Sequence, residues 1–159
     1  MIEISITHKN LTNFIKNIRL EDKLELEYVF KNNLEDNFID SIYKCDEIYF
    51  LADNNRTPIA IGGVENRFCD DLKLGQVWLL TTKDYYKNRF YLYKYVLDKI
   101  KDFKTRYDIL FNFIYKSNYP ALTWLNKAGF MEYDLSADFK LFYFLNGGIN
   151  FDIRYFASK

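Results

Sequence analysis

Ile2, Ile4 and Ile6 alternate with Glu3 and Ser5 at the start of the chain, the period-two pattern of a strand with one buried face. The period then changes. Leu11, Phe14, Ile15 and Ile18 recur at the spacing of one helical face, with Asn10 placed to cap it and His8 at the preceding strand end. A second helix is expected over Asp22 to Phe30. A third starts at Asn33, carries Glu35 and Asp36 in its first turn and Leu34, Phe38 and Ile42 on one side, and ends near Lys44. Ile48-Tyr49-Phe50-Leu51, the turn Asp53-Asn54-Asn55 and Pro58-Ile59-Ala60-Ile61-Gly62-Gly63-Val64 predict a tight antiparallel hairpin. After a polar interval from Glu65 to Lys73, Val77 to Thr82 reads as another strand. Phe90, Tyr93, Val96, Leu97, Ile100 and Phe103 then mark one face of a long helix. Tyr107 to Tyr115 is nearly continuous in apolar residues, which places it centrally, covered on both faces. Pro120 suits the first turn of a short helix whose inner side is Ala121, Trp124, Leu125 and Ala128, and Gly129 suits the left-handed residue that closes it. Two strands, Met131 to Leu135 and Phe139 to Leu145, an Asn-Gly-Gly turn and an aromatic tail complete the chain.

This order is α/β, a mixed sheet flanked by helices. A chain of 159 residues buries a continuous core as one domain without disulfides or metals, here with an N-terminal part (1–46), a core sheet (47–145) and a tail (146–159). Lys plus Arg and Asp plus Glu are both 22, so no broad charge footprint for nucleic acid or anionic membrane is offered. Cys45 and Cys69 lack metal-type spacing and have only His8 to join them, so both are expected as buried free thiols in a reducing setting, with no metal. Neither a signal peptide nor a membrane span is visible, and Asn10-Leu11-Thr12 reads as a helix cap rather than a glycosylation acceptor. Walker-type, zinc-finger and Ser/His/Asp arrangements are absent from the sequence.

Asn118, Ala121, the hydrophobic run through Leu125, and Gly129-Phe130 resemble the Asn-x-x-Ala, hydrophobic, Gly-Phe signature of the acyl-CoA N-acetyltransferase (GNAT) superfamily, whose element order spans nearly the whole chain. Trp78-Leu79-Leu80, the strand with Tyr107 and Asn112, and Asn118-x-x-Ala121-x-x-Trp124-Leu125 sharpen this. Together they are similar to the GNAT-like internal virion proteins of short-tailed phages, from Pro58 to Phe144. The resemblance implies a mostly antiparallel sheet with a central pair of splayed parallel strands, Val77 to Thr82 and Tyr107 to Tyr115. It also implies acetyl-CoA in the slot between them, its pantetheine arm bonded to the backbone of Leu79, Leu80 and Thr81. The pyrophosphate would lie at the start of the next helix, where backbone N–H groups and the helix dipole favour anions.

The glycines that normally permit this approach are replaced by Tyr85-Tyr86-Lys87-Asn88-Arg89-Phe90. Lys87 and Arg89, with Asn88, either grip phosphate oxygens with their side chains or form a solvated helix start. Bulky Tyr86 and Phe90 are expected to fill the cleft. At the position where many family members carry a tyrosine acid, this chain has Leu125. Tyr119, Tyr115 or Cys69 are the substitutes on offer, and Glu65 and Asp84 the nearest carboxylates for a base, although a structural or surface role fits each. Trp124 reads as core or groove packing. Two functions follow: a phage-encoded GNAT-like protein with a degenerate acetyl-CoA site, working in the virion or its assembly through phage or host proteins, or an active acetyl-CoA-dependent N-acetyltransferase of a host protein or small amine. The corresponding locations are the virion or the host cytoplasm. Edge strands near Ile2 and Phe139 and the tail from Phe151 to Phe156 offer surfaces for homo-oligomers, and the tail equally suits packing on its own domain.

Overall fold

The computed structural model describes residues 1–158. In chain order its elements are β1 (Ile2–Glu3), α1 (His8–Asn17), α2 (Leu20–Val29), α3 (Leu34–Lys44), β2 (Glu47–Ala52), β3 (Pro58–Cys69), β4 (Leu72–Thr81), α4 (Tyr85–Arg106), β5 (Ile109–Tyr115), α5 (Tyr119–Lys127), β6 (Met131–Asp134) and β7 (Phe139–Leu145), followed by a 3-10 helix, Ile153–Ser158. The strands are hydrogen-bonded in the order β1-β2-β3-β4-β5-β7-β6. β4 and β5 pair in parallel, Leu74–Gln76 against Ile109–Phe111, while β1–β2, β2–β3, β5–β7 and β6–β7 are antiparallel. The mixed, mostly antiparallel α/β architecture expected from the sequence is therefore observed, with β5 inside the sheet. The described residues form two compact units: Met1–Glu65 with Trp78–Val96, and Asn66–Val77 with the chain from Leu97 onward.

In the first unit, alternate residues of β2 and β3 are buried in different clusters, as expected for strands covered on both faces. Phe50 and its partner Ile61 pack with Leu11, Phe14 and Ile18 of α1 and Phe38, Ile39 and Ile42 of α3. Phe14 meets the Phe50 ring edge-on, with centroids 5.8 Å apart. Leu51 and its partner Ala60 pack instead with Ile59 and with Leu92 of α4. The two strands also approach closely, because a Cβ on Gly63 would stand 2.0 Å from the Glu47 carbonyl oxygen. Glycine is required there for space. In the second unit, Leu74, Ile109, Phe111, Leu141 and Phe156 form the core.

Several expectations are corrected. Regular β1 pairing covers Ile2 and Glu3, while Ile4 and Ile6 pack against the α1/α3 cluster beyond the strand. His8 is the first residue of α1, not a strand end, and the cap is Thr7, whose Oγ1 accepts the Asn10 N–H at 3.2 Å. The cap lies three residues ahead of Asn10, as the geometry of first-turn donors requires. Strand structure runs through most of the polar interval from Glu65 to Lys73: β3 continues to Cys69 and β4 starts at Leu72, with Asp70 at φ 51° in the turn. Tyr107 ends the α4 turn rather than starting β5, its N–H donating to the Phe103 carbonyl. On α4 the buried positions are Leu92, Ile100 and Phe103, whereas Phe90 and Tyr93 are exposed. Phe90 lies two residues from Leu92, about 200° around the helix, so burial of one turns the other outward. The strand beginning at Phe139 is not an edge, since β7 is paired to both β5 and β6. The tail packs on its own unit: Phe156 lies 4.5 Å from Phe111, ring centre to ring centre.

Candidate functional site

The segment from Trp78 to Phe90 runs, within the first unit, from the end of β4 through a short turn into α4. Trp78 and Leu80 pack toward the α1/α3 cluster and Leu79 toward the α4 cluster. Trp78 Nε1–H also donates to Cys45 Sγ at 3.2 Å. Thr82 anchors the turn to β3: its N–H donates to the Ile59 carbonyl at 2.8 Å and its hydroxyl to the Pro58 carbonyl at 3.2 Å. Because backbone groups alternate sides along a strand, Thr81 presents its N–H and C=O to the opposite edge from Thr82.

That edge at Thr81 is occupied by the start of α2. The Arg19 N–H donates to the Thr81 carbonyl at 2.9 Å, and the Thr81 N–H and hydroxyl both donate to Asp22 Oδ2 at 2.9 Å. Arg19 Nη2 donates to the other Asp22 oxygen at 2.7 Å. Both backbone groups of Thr81 are thus bonded. Asp22 is 1% exposed and Thr81 6%. Burial works to lower the Arg19 pKa, but the adjacent Asp22 carboxylate, with Glu21 beside it, outweighs this and holds it above its ordinary value. The Arg19 guanidinium also lies 5.3 Å from the Tyr85 ring centre, tying α2 to the start of α4. The link between α1 and α2 follows the same edge, through the antiparallel bridge of Ile18 with Thr82 and the Lys83 N–H donated to the Asn17 carbonyl.

At the start of α4, the Tyr85 N–H donates to the Thr82 carbonyl and the Lys87 N–H to the Asp84 carbonyl. Asp84 also forms an exposed 3.3 Å ion pair with Lys87, so the base candidate and a phosphate candidate are engaged with each other. Arg89 stacks over the rings of Tyr86 and Phe90, at 4.2 and 4.9 Å from their centroids. Those rings are 63% and 75% exposed. They turn outward to solvent and do not fill a cleft, contrary to the expectation from their bulk. Asn88 is half-buried on the same turn, and Glu65 is half-buried in β3, outside the 78–90 segment.

The remaining candidates lie in the second unit. Asn118 is 2% exposed, and its Oδ1 accepts the Ala121 N–H as the α5 cap. Tyr119 follows it and is 72% exposed. Leu125 is buried, Tyr115 packs on the Phe139 ring, and Cys69 lies against the core. Gly129 takes φ 81°, the left-handed conformation expected of it. The structure therefore gathers Leu79, Leu80, Thr81, Asp84, Lys87, Asn88 and Arg89 along one strand, turn and helix start, and gives Asn118 a capping role. Among the described residues, no group of three or more His, Cys, Asp or Glu is placed to hold a metal.

Arg19 and Asp22 were not among the sequence candidates. A signal was present: Asp22 shares the inward spacing i, i+4, i+8 with Leu26 and Phe30, an acid on an otherwise apolar face. A carboxylate there must find donors inside the protein.

No protein-family model matches the sequence, and no curated protein does. Solved structures do match its fold. A GNAT-family acetyltransferase from Bacillus anthracis is 11% identical, with TM-score 0.62, covering 91% of this chain and 93% of its own. The ribosomal-protein-S5-alanine acetyltransferase from Vibrio fischeri is 12% identical, with TM-score 0.58, covering 94% of this chain and all of its own (100%). A variant of the spermidine N-acetyltransferase from Vibrio cholerae is 11% identical, with TM-score 0.58, covering 92% and 95%. At these identities the likeness is one of fold, and the fold is that of the GNAT acetyltransferases.

Proposed function

We propose that this chain is a GNAT-fold protein whose acetyl-CoA site has degenerated, and that it acts by contact with other proteins, in the virion of a short-tailed phage or during its assembly. The observation that carries the first part is the state of Thr81. A pantetheine arm needs open N–H and C=O groups on this edge of β4, and those of Thr81 are held by Asp22 and Arg19. To release them would strand a buried carboxylate and its guanidinium partner, which is costly. The helix start does not fit the pyrophosphate either. The family's phosphate-loop glycines are missing from it, Arg89 is stacked on the outward Tyr86 and Phe90 rings, and Leu125 offers no proton to a departing thiolate. The virion role rests on the resemblance of Trp78-Leu79-Leu80 and the Asn118 to Leu125 segment to phage internal virion proteins.

A second reading, an active N-acetyltransferase of a host protein or small amine, is favoured by Lys87, whose exposed ammonium stands in the first turn of α4 where the dipole already attracts anions. Calorimetric titration with acetyl-CoA separates the two. No binding heat is expected. Micromolar affinity that disappears in Lys87→Ala and Arg89→Ala would overturn the degenerate-site reading in favour of catalysis. Mass spectrometry of purified particles tests the virion role, which fails if the protein is missing from both proheads and mature virions.

A further inference from the structure

The first turns of α4 bury one side and turn an aromatic one to water. Leu92 is buried with Leu51, Ile59 and Ala60, and Val96 packs against them. At 3.6 residues per turn this directs Tyr86, Phe90 and Tyr93, at i, i+4 and i+7, to the outer side, where they are 63%, 75% and 37% exposed. Tyr91 is 72% exposed on the same stretch. Large rings open to solvent at four positions between 86 and 93 exceed the scattered apolar exposure of an ordinary surface. Phe90 has no hydroxyl to hold in water, so its exposure is the least explained by the fold alone.

The charges along this stretch have one sign. From Tyr85 to Val96 the helix holds Lys87, Arg89 and Lys94 and no carboxylate, a formal charge of +3 in a chain whose net charge is zero. All three cations are exposed. The helical period sets Lys87 and Lys94, at i and i+7, along one flank of the Tyr86, Phe90 and Tyr93 stripe, and Arg89 along the other. Arg89 lies 4.2 Å from the Tyr86 ring centre and 4.9 Å from that of Phe90, so it joins the two rings into one platform. The nearest carboxylates along the helix are Asp84, ion-paired with Lys87, and Asp98, ion-paired with Lys101, while Glu3 accepts the Tyr95 hydroxyl at the inner flank. The Asp84 pair is exposed and worth little, so a phosphate can take its place on Lys87.

We propose that the outward face of α4 from Tyr86 to Lys94 binds single-stranded nucleic acid, its bases stacked on the rings and its phosphates held by the flanking Lys87, Arg89 and Lys94. Aromatic rings offer a surface on which any base can stack, and cations beside them follow the backbone; sequence-tolerant single-strand sites combine these two elements. Tyr86 to Tyr93 spans about 10 Å of helix, room for roughly three bases at about 3.4 Å each. The attraction is local to this helix, in keeping with a chain that has no broad basic footprint. An acidic protein segment would match the cations and leave the rings uncovered. A bilayer takes up an apolar face, whereas three of these four rings carry a hydroxyl. The inference does not rest on the Thr81 edge, so its failure leaves the acetyl-CoA reading as it stands.

The test is fluorescence anisotropy of a labelled oligothymidylate of about 15 nucleotides, titrated with the full chain at several salt concentrations. Binding is expected, with log K falling against log salt at a slope of about −2, the value for three cations on a single strand. Phe90→Ala should weaken it about tenfold at unchanged slope, and Lys94→Gln should make the slope shallower by about 0.7. Both positions are exposed, and circular dichroism checks that each variant folds. A duplex of the same length should bind more weakly, because its bases are shut in pairs. No binding up to about 100 μM protein at low salt, an affinity untouched by Phe90→Ala, or a duplex bound as tightly as the single strand overturns the proposal. So does polyglutamate bound as tightly as the oligonucleotide, which would assign the face to an acidic protein segment, or uptake by phosphatidylserine vesicles without oligonucleotide binding, which would assign it to a membrane surface. Displacement of the oligonucleotide by acetyl-CoA would overturn it in favour of a coenzyme site.

Discussion

Asp22→Ala tests whether α2 holds the end of β4. The substitution removes the acceptor of three hydrogen bonds, from Thr81 N–H and Oγ1 at 2.9 Å and from Arg19 Nη2 at 2.7 Å. Alanine leaves a buried peptide donor without its acceptor and a largely buried guanidinium that keeps Glu21 at 3.5 Å. Breaking one partner of a buried ion pair costs about 3–5 kcal/mol. For a chain of this length that corresponds to a fall in Tm of roughly 6–20 °C. Asp22→Asn keeps one acceptor oxygen and should lose less, roughly 1–3 kcal/mol. Urea unfolding gives the energies, and hydrogen exchange at the Thr81 amide reports locally, since its protection should fall more than that of the α1/α3 core. Adding Arg19→Met to Asp22→Ala should recover part of the loss, because the uncompensated cation is gone. The reasoning is refuted if Asp22→Ala unfolds within about 1 kcal/mol of wild type and the Thr81 amide stays as protected as before.

Gly63→Ala should destabilise more than Gly62→Ala in urea, because the new Cβ meets Glu47 backbone oxygen at 2.0 Å in the first case and Trp78 backbone oxygen at 2.7 Å in the second; equal losses would contradict the strand spacing. Phe156→Ala should cost about 3–5 kcal/mol by opening the contact with Phe111 and Phe113, and an unchanged Tm would show that the tail does not belong to that core. Lys104 lies over the Phe130 and Phe144 rings, donates to the Ala128 carbonyl, and is held by burial below its ordinary 10.5. In the alkaline window below 10.5 the unfolded chain then binds more protons than the folded one, so this residue makes stability rise with pH there; Lys104→Met should flatten that rise in urea titrations, and an identical pH profile would refute the assignment.

What the sequence makes legible here depends on the range of the interaction. The β2/β3 hairpin, α3, α5 with its Asn118 cap and Gly129 are read from neighbouring residues, because each is decided by local periodicity or by a backbone angle. The β3/β4 turn escapes that reading since Arg67, Phe68, Asp70 and Asp71 are exposed, and a ribbon open to water on its outer part shows no alternation of buried and polar positions. The start of the α4 face, at Phe90 and Tyr93, is misread for a related cause, while Ile100 and Phe103 are buried as expected. Aromatic residues at helical spacing mark two candidate stripes, and the smaller Leu92, seated against Ala60 and Leu51, selects the inner one. The GNAT resemblance points to the backbone of Thr81, but not to what bonds it, because Asp22 lies 59 residues away in sequence. An acid on the apolar face of α2 announces that internal donors are needed without saying which ones. Whether this peptide edge is open or closed is therefore a property of long-range pairing. A motif matched along β4 and α4 alone would have left the edge open, and it is the α2 carboxylate, outside that motif, that occupies the Thr81 peptide group.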